Sequence, residues 1–363
     1  MTTIPARPGH DRRAFLSLLG AAALIGPAAA ACGSGAAAAP SKIDFNQLAG
    51  QTGDPETRSL KYLGDSGEVT LEELAADLGY LQDVELDFVG DSTSGPQMIQ
   101  SAATRQTDFG GAFNGAVVKL IAAGAPVTAL ISYYGVDKYS YNGFFTKQDS
   151  PIGAAKDLLG RKVGMNTLGA HDEAVLDIYL ERNKLTRAQV GQVEPIVIPP
   201  ASTEEAIRLG QLDVGVLGSF LRELAQARGG LKMLFSDYQL LGNFSAGTYV
   251  MRDDFIEKNP NTVRVFITAV AKAIEWSRTT PTAEVVDRFL SIIAKRNRNE
   301  STTAIKYWQS WGVAETGGVI AQNEIQTWID WLVTQGTLKQ GQLTAAQVYT
   351  NAFNPYAKKG GSS

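Results

Sequence analysis

Apolar side chains at Val84, Leu86 and Phe88 alternate with polar ones, and this period of two predicts a strand that runs into a polar turn. Ser92, Thr93 and Ser94 then stand where a helix N-cap belongs, and Met98, Ile99, Ala102 and Ala103 fall on one helical face. A second strand over residues 108–112 is predicted to end in a small polar loop, Phe113-Asn114-Gly115, that opens another helix. The arrangement recurs. Gln106-Thr107-Asp108-Phe109-Gly110 is echoed by Gln211-Leu212-Asp213-Val214-Gly215, each after a short apolar-striped helix and before a small polar loop. Two similar α/β halves facing a shared ligand are expected. Helix N-termini at strand ends present free N–H groups and a positive dipole end, which suit an anionic or carbonyl-bearing ligand.

Taken in order, the remaining pattern predicts a strand over 59–63, the loop Gly64-Asp65-Ser66-Gly67 and a helix over 70–79. After residue 115 come a helix over 116–123 and a strand over 127–132, an alternation that points to a mostly parallel sheet. Residues 133–147 are aromatic and punctuated by glycine, as expected of a crossing between lobes. Their rings serve hinge packing or ligand stacking. A second series follows, with strands over 162–165, 193–198, 213–217 and 231–235 and helices over 172–183, 203–209 and 220–228. Residues 243–251 read as a return crossing. Helices are then expected over 261–278, 283–295, 302–311 and 318–335, where Trp308, Trp311, Trp328 and Trp331 supply packing area.

Composition narrows the function. A chain of 363 residues with 44% hydrophobic and 19% charged content is long enough for two domains. Its net charge of −4, without a dense Lys/Arg cluster, argues against nucleic acid as a partner. The single cysteine excludes internal disulfides, and His10 and His171 are too few for a histidine-built metal centre, so no metal or other cofactor is expected.

The N-terminus reads as an export signal over 1–31: Asp11-Arg12-Arg13-Ala14-Phe15-Leu16-Ser17, an alanine-rich apolar run, then Cys32. The paired arginines resemble a twin-arginine signal, and Ala29-Ala30-Ala31-Cys32 resembles a lipoprotein cleavage box with Ala29 where leucine is usual. Lipidation of Cys32 and ordinary cleavage after Ala31 both remain open. Removing residues 1–31 takes the net charge to −6. Residues 32–57, rich in Gly, Ala, Ser and Pro, are expected to form a flexible tether.

From residue 60 to 289 the order of motifs resembles the substrate-binding proteins of ABC importers, in the nitrate/sulfonate/taurine branch that also includes thiamine-precursor binders. The carriers are Thr93-Ser94-Gly95 with the Gln106 motif, Ala123-Gly-Ala-Pro-Val127, Asp157-Leu-Leu-Gly-Arg-Lys-Val-Gly164, Gln211-Leu-Asp-Val-Gly215 and Arg252-Asp-Asp-Phe-Ile-Glu-Lys-Asn-Pro260. The resemblance implies a two-lobed α/β periplasmic-binding-protein fold, with lobe one formed by 58–142 and 247–355 and lobe two by 143–246. Carried over, the ligand loops are Gly64, Asp65 and Ser66, then Ser92, Thr93 and Ser94, then Phe113 and Asn114, from lobe one. Lobe two would give Asn166, Thr167, Ala170 and His171, with Gly218, Ser219 and Phe220. Many relatives carry an aromatic and an acidic residue where this chain has Gly218-Ser219-Phe220.

The resemblance implies no enzyme. It implies an extracytoplasmic lipoprotein monomer, anchored to the outer face of the cell membrane through Cys32, that captures a small anion by hinge closure and hands it to an ABC permease with its ATPase. An aminopyrimidine or thiamine precursor as solute, and a surface receptor without a transport role, are the alternatives.

Overall fold

A computed structural model describes residues 43–92 and 94–358. The export signal, Cys32 and Thr93 lie outside the described residues. The strands are β1 (Ser59–Gly64), β2 (Glu85–Asp91), β3 (Phe109–Phe113), β4 (Val127–Val136), β5 (Asn142–Lys147), β6 (Lys162–Met165), β7 (Glu194–Val197), β8 (Val214–Gly218), β9 (Leu231–Ser236) and β10 (Phe244–Arg252). The helices are α1 (Phe45–Ala49), α2 (Leu71–Asp77), α3 (Gly95–Ala103), α4 (Asn114–Ala122), α5 (His171–Arg182), α6 (Arg187–Val190), α7 (Pro200–Arg208), α8 (Ser219–Arg228), α9 (Asp237–Leu241), α10 (Asp253–Lys258), α11 (Pro260–Thr279), α12 (Thr282–Arg296) and α13 (Gln322–Thr334).

One sheet has the order β3-β10-β4, with β1 and β2 paired beside it, and the other has the order β7-β6-β8-β5-β9. The alternation of β10 explains why the first sheet is buried on both faces. Tyr249 and Met251 pack into a core with α2, α11 and α12, while Val250 faces a second core built with α4 and α13. Within α11, Phe266, Ile267 and Val270 are fully buried, each contributing roughly 1.5–3 kcal/mol by leaving water. The second sheet is likewise covered twice, by Val175, Leu176 and Leu180 of α5 on one face and by Ala206, Ile207 and Ala225 of α7 and α8 on the other.

The chain passes between the two sheets at residues 137–141, after β4, and at 242–243, before β10. This explains a departure from the expected mostly parallel sheets. Pairing is parallel at β1–β2, β6–β7 and β6–β8, but β5 and β10 run antiparallel to both their neighbours. Each is the first strand after a crossing, so it enters its sheet from the opposite end.

Four other expectations are corrected. Residues 43–57, read as part of a flexible tether, are fastened: Phe45, Leu48 and Ala49 pack on the first core, and the Glu56 carboxylate accepts the N–H groups of Asn261 and Thr262 at 3.1 and 3.0 Å. That carboxylate caps the first turn of α11. No polar loop separates β3 from its helix, because Phe113 is both the end of β3 and the N-cap of α4. Over 302–311 only the short turn Ile305–Tyr307 is helical. Trp308 and Trp311 bind the segment to Phe289, while Gly135 donates its N–H to Trp311 O at 2.8 Å, so the chain is held extended along the end of β4. Finally, the helix expected over 318–335 begins at Gln322, after Gly317 and Gly318 adopt positive φ.

Candidate ligand-binding cleft

Two adjoining cavities of about 220 and 310 Å³ share Asp65, Glu68, Tyr133, Tyr134, Asn142 and His171 and form one cleft. The larger receives the starts of three helices. Ser94 and Gly95 open α3, Ala170 and His171 open α5, and Gly218 and Ser219 open α8. Asn166 and Thr167 enter it from the turn after β6. Ser219 holds φ of 45°, a strained value for a residue with a side chain and one often found where a backbone is shaped for a ligand. The smaller cavity is aromatic and acidic: Tyr133, Tyr134, Tyr141, Trp308, Trp311 and Tyr249 surround Asp65, Glu68 and Asp237.

The sequence lets the two tyrosines reach the cleft by leaving out side chains beneath them. A Cβ on Gly111 would meet the Tyr133 ring at 2.6 Å, and one on Gly247 would collide with the Tyr134 ring. Tyr133 is then stacked on Tyr249 at 4.1 Å between centroids, and the Tyr249 hydroxyl donates to Glu72 at 2.5 Å. Burial, followed by the charge of Glu73, pushes Glu72 up to about 8, although the Tyr249 bond opposes this.

His171 is 7% exposed. Its Nε2 lies 2.9 Å from Asp237 Oδ2, whereas its buried Nδ1 has no hydrogen-bond partner among the described residues. Desolvation pulls the imidazole pKa down, but the bond to Asp237 and the charges of Asp237 and Asp172 outweigh it, so the net shift is upward. Asn142, first residue after the crossing, ties these groups together: its N–H donates to Asp237 at 3.0 Å and its amide to Asp172 at 2.7 Å. The crossing itself is clamped by Arg222, which donates to the carbonyls of Tyr139 and Tyr141 at 2.8 and 2.7 Å and lies over the Tyr141 ring.

Of the residues expected in the site, Asp65, Ser94, Phe113, Asn166, Thr167, Ala170, His171, Gly218, Ser219 and Phe220 line the cleft. Gly64, Ser66, Ser92 and Asn114 do not. Asn114 is fully buried and donates to the carbonyls of Ser245 and Glu324, tying α4 to β10 and α13. Ser92 turns back to bond Ser94 O and Gln97. Gly64 packs against Phe88, and Ser66 is solvent-exposed. The cleft also contains Glu68, Asn142, Asp237, Trp308 and Trp311, which had not been placed there. Trp308 and Trp311 pack as expected but also face the cavity, because the chain after α12 folds back across it. No local pattern signals that return.

A family profile described as "NMT1/THI5 like" matches residues 69–284, which is 216 of the 363 positions. The chain belongs to this family. Similar solved structures include the periplasmic aliphatic sulphonate binding protein SsuA from Escherichia coli, at 17% identity and a TM-score of 0.61, covering 85% of this chain and 97% of that one. The alkanesulfonate-binding protein SsuA from Xanthomonas axonopodis pv. citri, bound to MOPS, gives 16% identity and a TM-score of 0.62 over 82% and 99%. The periplasmic nitrate-binding protein NrtA from Synechocystis PCC 6803 gives 15% and 0.64 over 83% and 88%. These likenesses show the periplasmic-binding-protein fold. None of the curated proteins compared matches the chain.

Proposed function

We propose that the protein is the extracytoplasmic solute-binding component of an ABC importer, capturing a small polar solute in the cleft and passing it to a permease with its ATPase. The observation that carries this reading is that the cleft is walled by both halves. Asp65, Ser94, Tyr133 and Tyr134 come from the first half, and Asn166, Thr167, His171 and Ser219 from the second. The two lobes would be 58–142 with 247–355, and 143–246, hinged at the two crossings and closing on the solute.

The solved relatives are named for sulfonates and nitrate, and the helix starts at Ser94, His171 and Ser219 suit an anionic or carbonyl-bearing group. An open, polar cleft favours solute capture over a receptor role that uses only the outer surface. Among the described residues no helix is long and apolar enough to cross a membrane. Attachment would instead come from a lipid on Cys32, with the protein acting as a monomer.

Native mass spectrometry of protein purified without denaturation should find a small molecule bound one to one. Removing it should enlarge the radius of gyration measured by small-angle scattering. Protein that carries no solute and has one radius under all conditions would overturn the reading. Mass spectrometry of the mature N-terminus should separately find a lipidated Cys32; an unmodified Cys32 would refute the anchor alone.

A further inference from the structure

Neither cavity of the cleft is lined by a lysine or arginine among the described residues, yet Asp65, Glu68, Asp172 and Asp237 all line it. His171 alone could offset them, and it is already engaged by Asp237. Two guanidinium groups lie near the cleft but are engaged: Arg296 donates to the backbone carbonyls of Asp65 and Glu68, while its charge is paired with Glu73 and Glu300. Arg222 lies behind Tyr141 with its donors occupied by carbonyls and Glu223.

Resting on the solute-binding reading above, we propose that the ligand carries an organic cation, a protonated or quaternary amine, seated between the Asp65 and Glu68 carboxylates and the rings of Tyr133, Tyr134 and Trp308. Two independent features point there. The first is chemical: electron-rich ring faces attract a cation, and attract it more strongly where water is displaced. The smaller cavity, with its many aromatic residues beside the carboxylates of Asp65, Glu68 and Asp237, has this composition. The second is a buried polar atom without a protein partner among the described residues, His171 Nδ1, on a residue that lines both cavities. A ligand with a polar group at a distance from its cationic head would satisfy it.

The two carboxylates are also poised for such a charge. Burial pushes Asp65 up to about 7, with Glu73 and Asp91 adding repulsion and Arg296 opposing. Glu68, although solvent-exposed as a residue, is raised by desolvation and then by the charge of Asp65, with Arg296 again opposing. A cation placed between them would favour the charged form of both. The helix starts across the cleft then remain free for an anionic or carbonyl group at the other end of the solute.

The test uses the mature protein with choline and isethionate, which share a hydroxyethyl group and differ in the sign of the head. Titration calorimetry and thermal unfolding should show choline binding and isethionate not binding. The double variant Asp65→Asn, Glu68→Gln should weaken choline binding by roughly tenfold or more. It should melt no lower than the parent, because it removes repulsion. Isethionate binding without choline binding, or choline bound equally well by the folded double variant, would overturn the cation and leave solute capture intact. If neither probe binds, the cation is overturned too. Whether solute capture survives is then read from the mass and charge of the co-purified molecule.

Discussion

His171 Nε2 lies 2.9 Å from Asp237 Oδ2, and Asp237 is inaccessible to solvent. A raised imidazole pKa means that the folded state holds its proton more tightly than the unfolded chain does. The pair's stabilisation is therefore complete below about 6.5 and is lost as pH rises through the folded value. Apart from His10 this is the only histidine, so NMR can follow it alone in protein produced without residues 1–31. Its titration midpoint should lie above 6.5 and fall in Asp237→Asn. In urea unfolding, that variant's deficit of about 1–3 kcal/mol should be largest near pH 5.5 and shrink by pH 8.5. A deficit independent of pH would show that the pair does not titrate as described.

Glu72 has the opposite chemistry and the same direction of pH dependence. Its carboxyl is fully buried and bonded to the Tyr249 hydroxyl, and burial pushes it up to about 8. For an acid raised above its unfolded value near 4.5, the unfolded chain ionises first. Stability then falls from about pH 4.5 to about 8, at up to about 1.4 kcal/mol per pH unit. Glu72→Gln removes the titration. Its stability relative to the parent should improve steadily between pH 5 and pH 8 in urea unfolding, even if the amide carries a constant cost.

Asn114 separates scaffold from site. Losing its amide removes the buried bonds to the carbonyls of Ser245 and Glu324, so Asn114→Ala should cost about 1–3 kcal/mol of stability and leave solute affinity unchanged. Ser94→Ala and Thr167→Ala should do the reverse, weakening the co-purified solute roughly five- to hundred-fold in titration calorimetry with little change in unfolding of the empty protein. Weakened binding in Asn114→Ala at unchanged stability would return that residue to the site.

Gly247 is predicted to act through Tyr134. Adding a methyl group would drive into the ring and toward Ala112 O at 2.7 Å, so Gly247→Ala should displace Tyr134 into the cleft. Overpacking of this kind costs typically about 1–3 kcal/mol. Affinity should fall as well, and Tyr134→Ala in the same background should recover stability but not affinity. Recovery of neither would mean that the strand itself, and not the ring, is what the methyl disturbs.

Local chemistry carries much of this fold. The repeat at Gln106 and Gln211 reflects one device used twice: Asp108 exchanges bonds with the backbone of Lys61 at 2.8 and 2.9 Å, and Asp213 does so with Lys162 at 2.9 and 3.1 Å. The repeated motif is readable in the sequence, but its bonding partner, 47 and 51 residues away in the two cases, is not. The helix starts at Ser94, His171 and Ser219 were legible, since caps and stripes are set within a turn or two. What spacing could not decide was which polar residues face a ligand. Asn114 and Ser94 stand in similar sequence surroundings, but α13 arrives over Asn114 and takes up its amide, while Ser94 lines the cleft. Nor could local pattern place Trp308, Trp311, Glu68 and Asp237 around one cavity. They converge because the chain crosses between sheets twice and folds back after α12. Antiparallel entry of β5 and β10, and the gathering of carboxylates without a lysine or arginine among the described residues that line the cleft, are consequences of that long-range path, which no window of neighbouring residues contains.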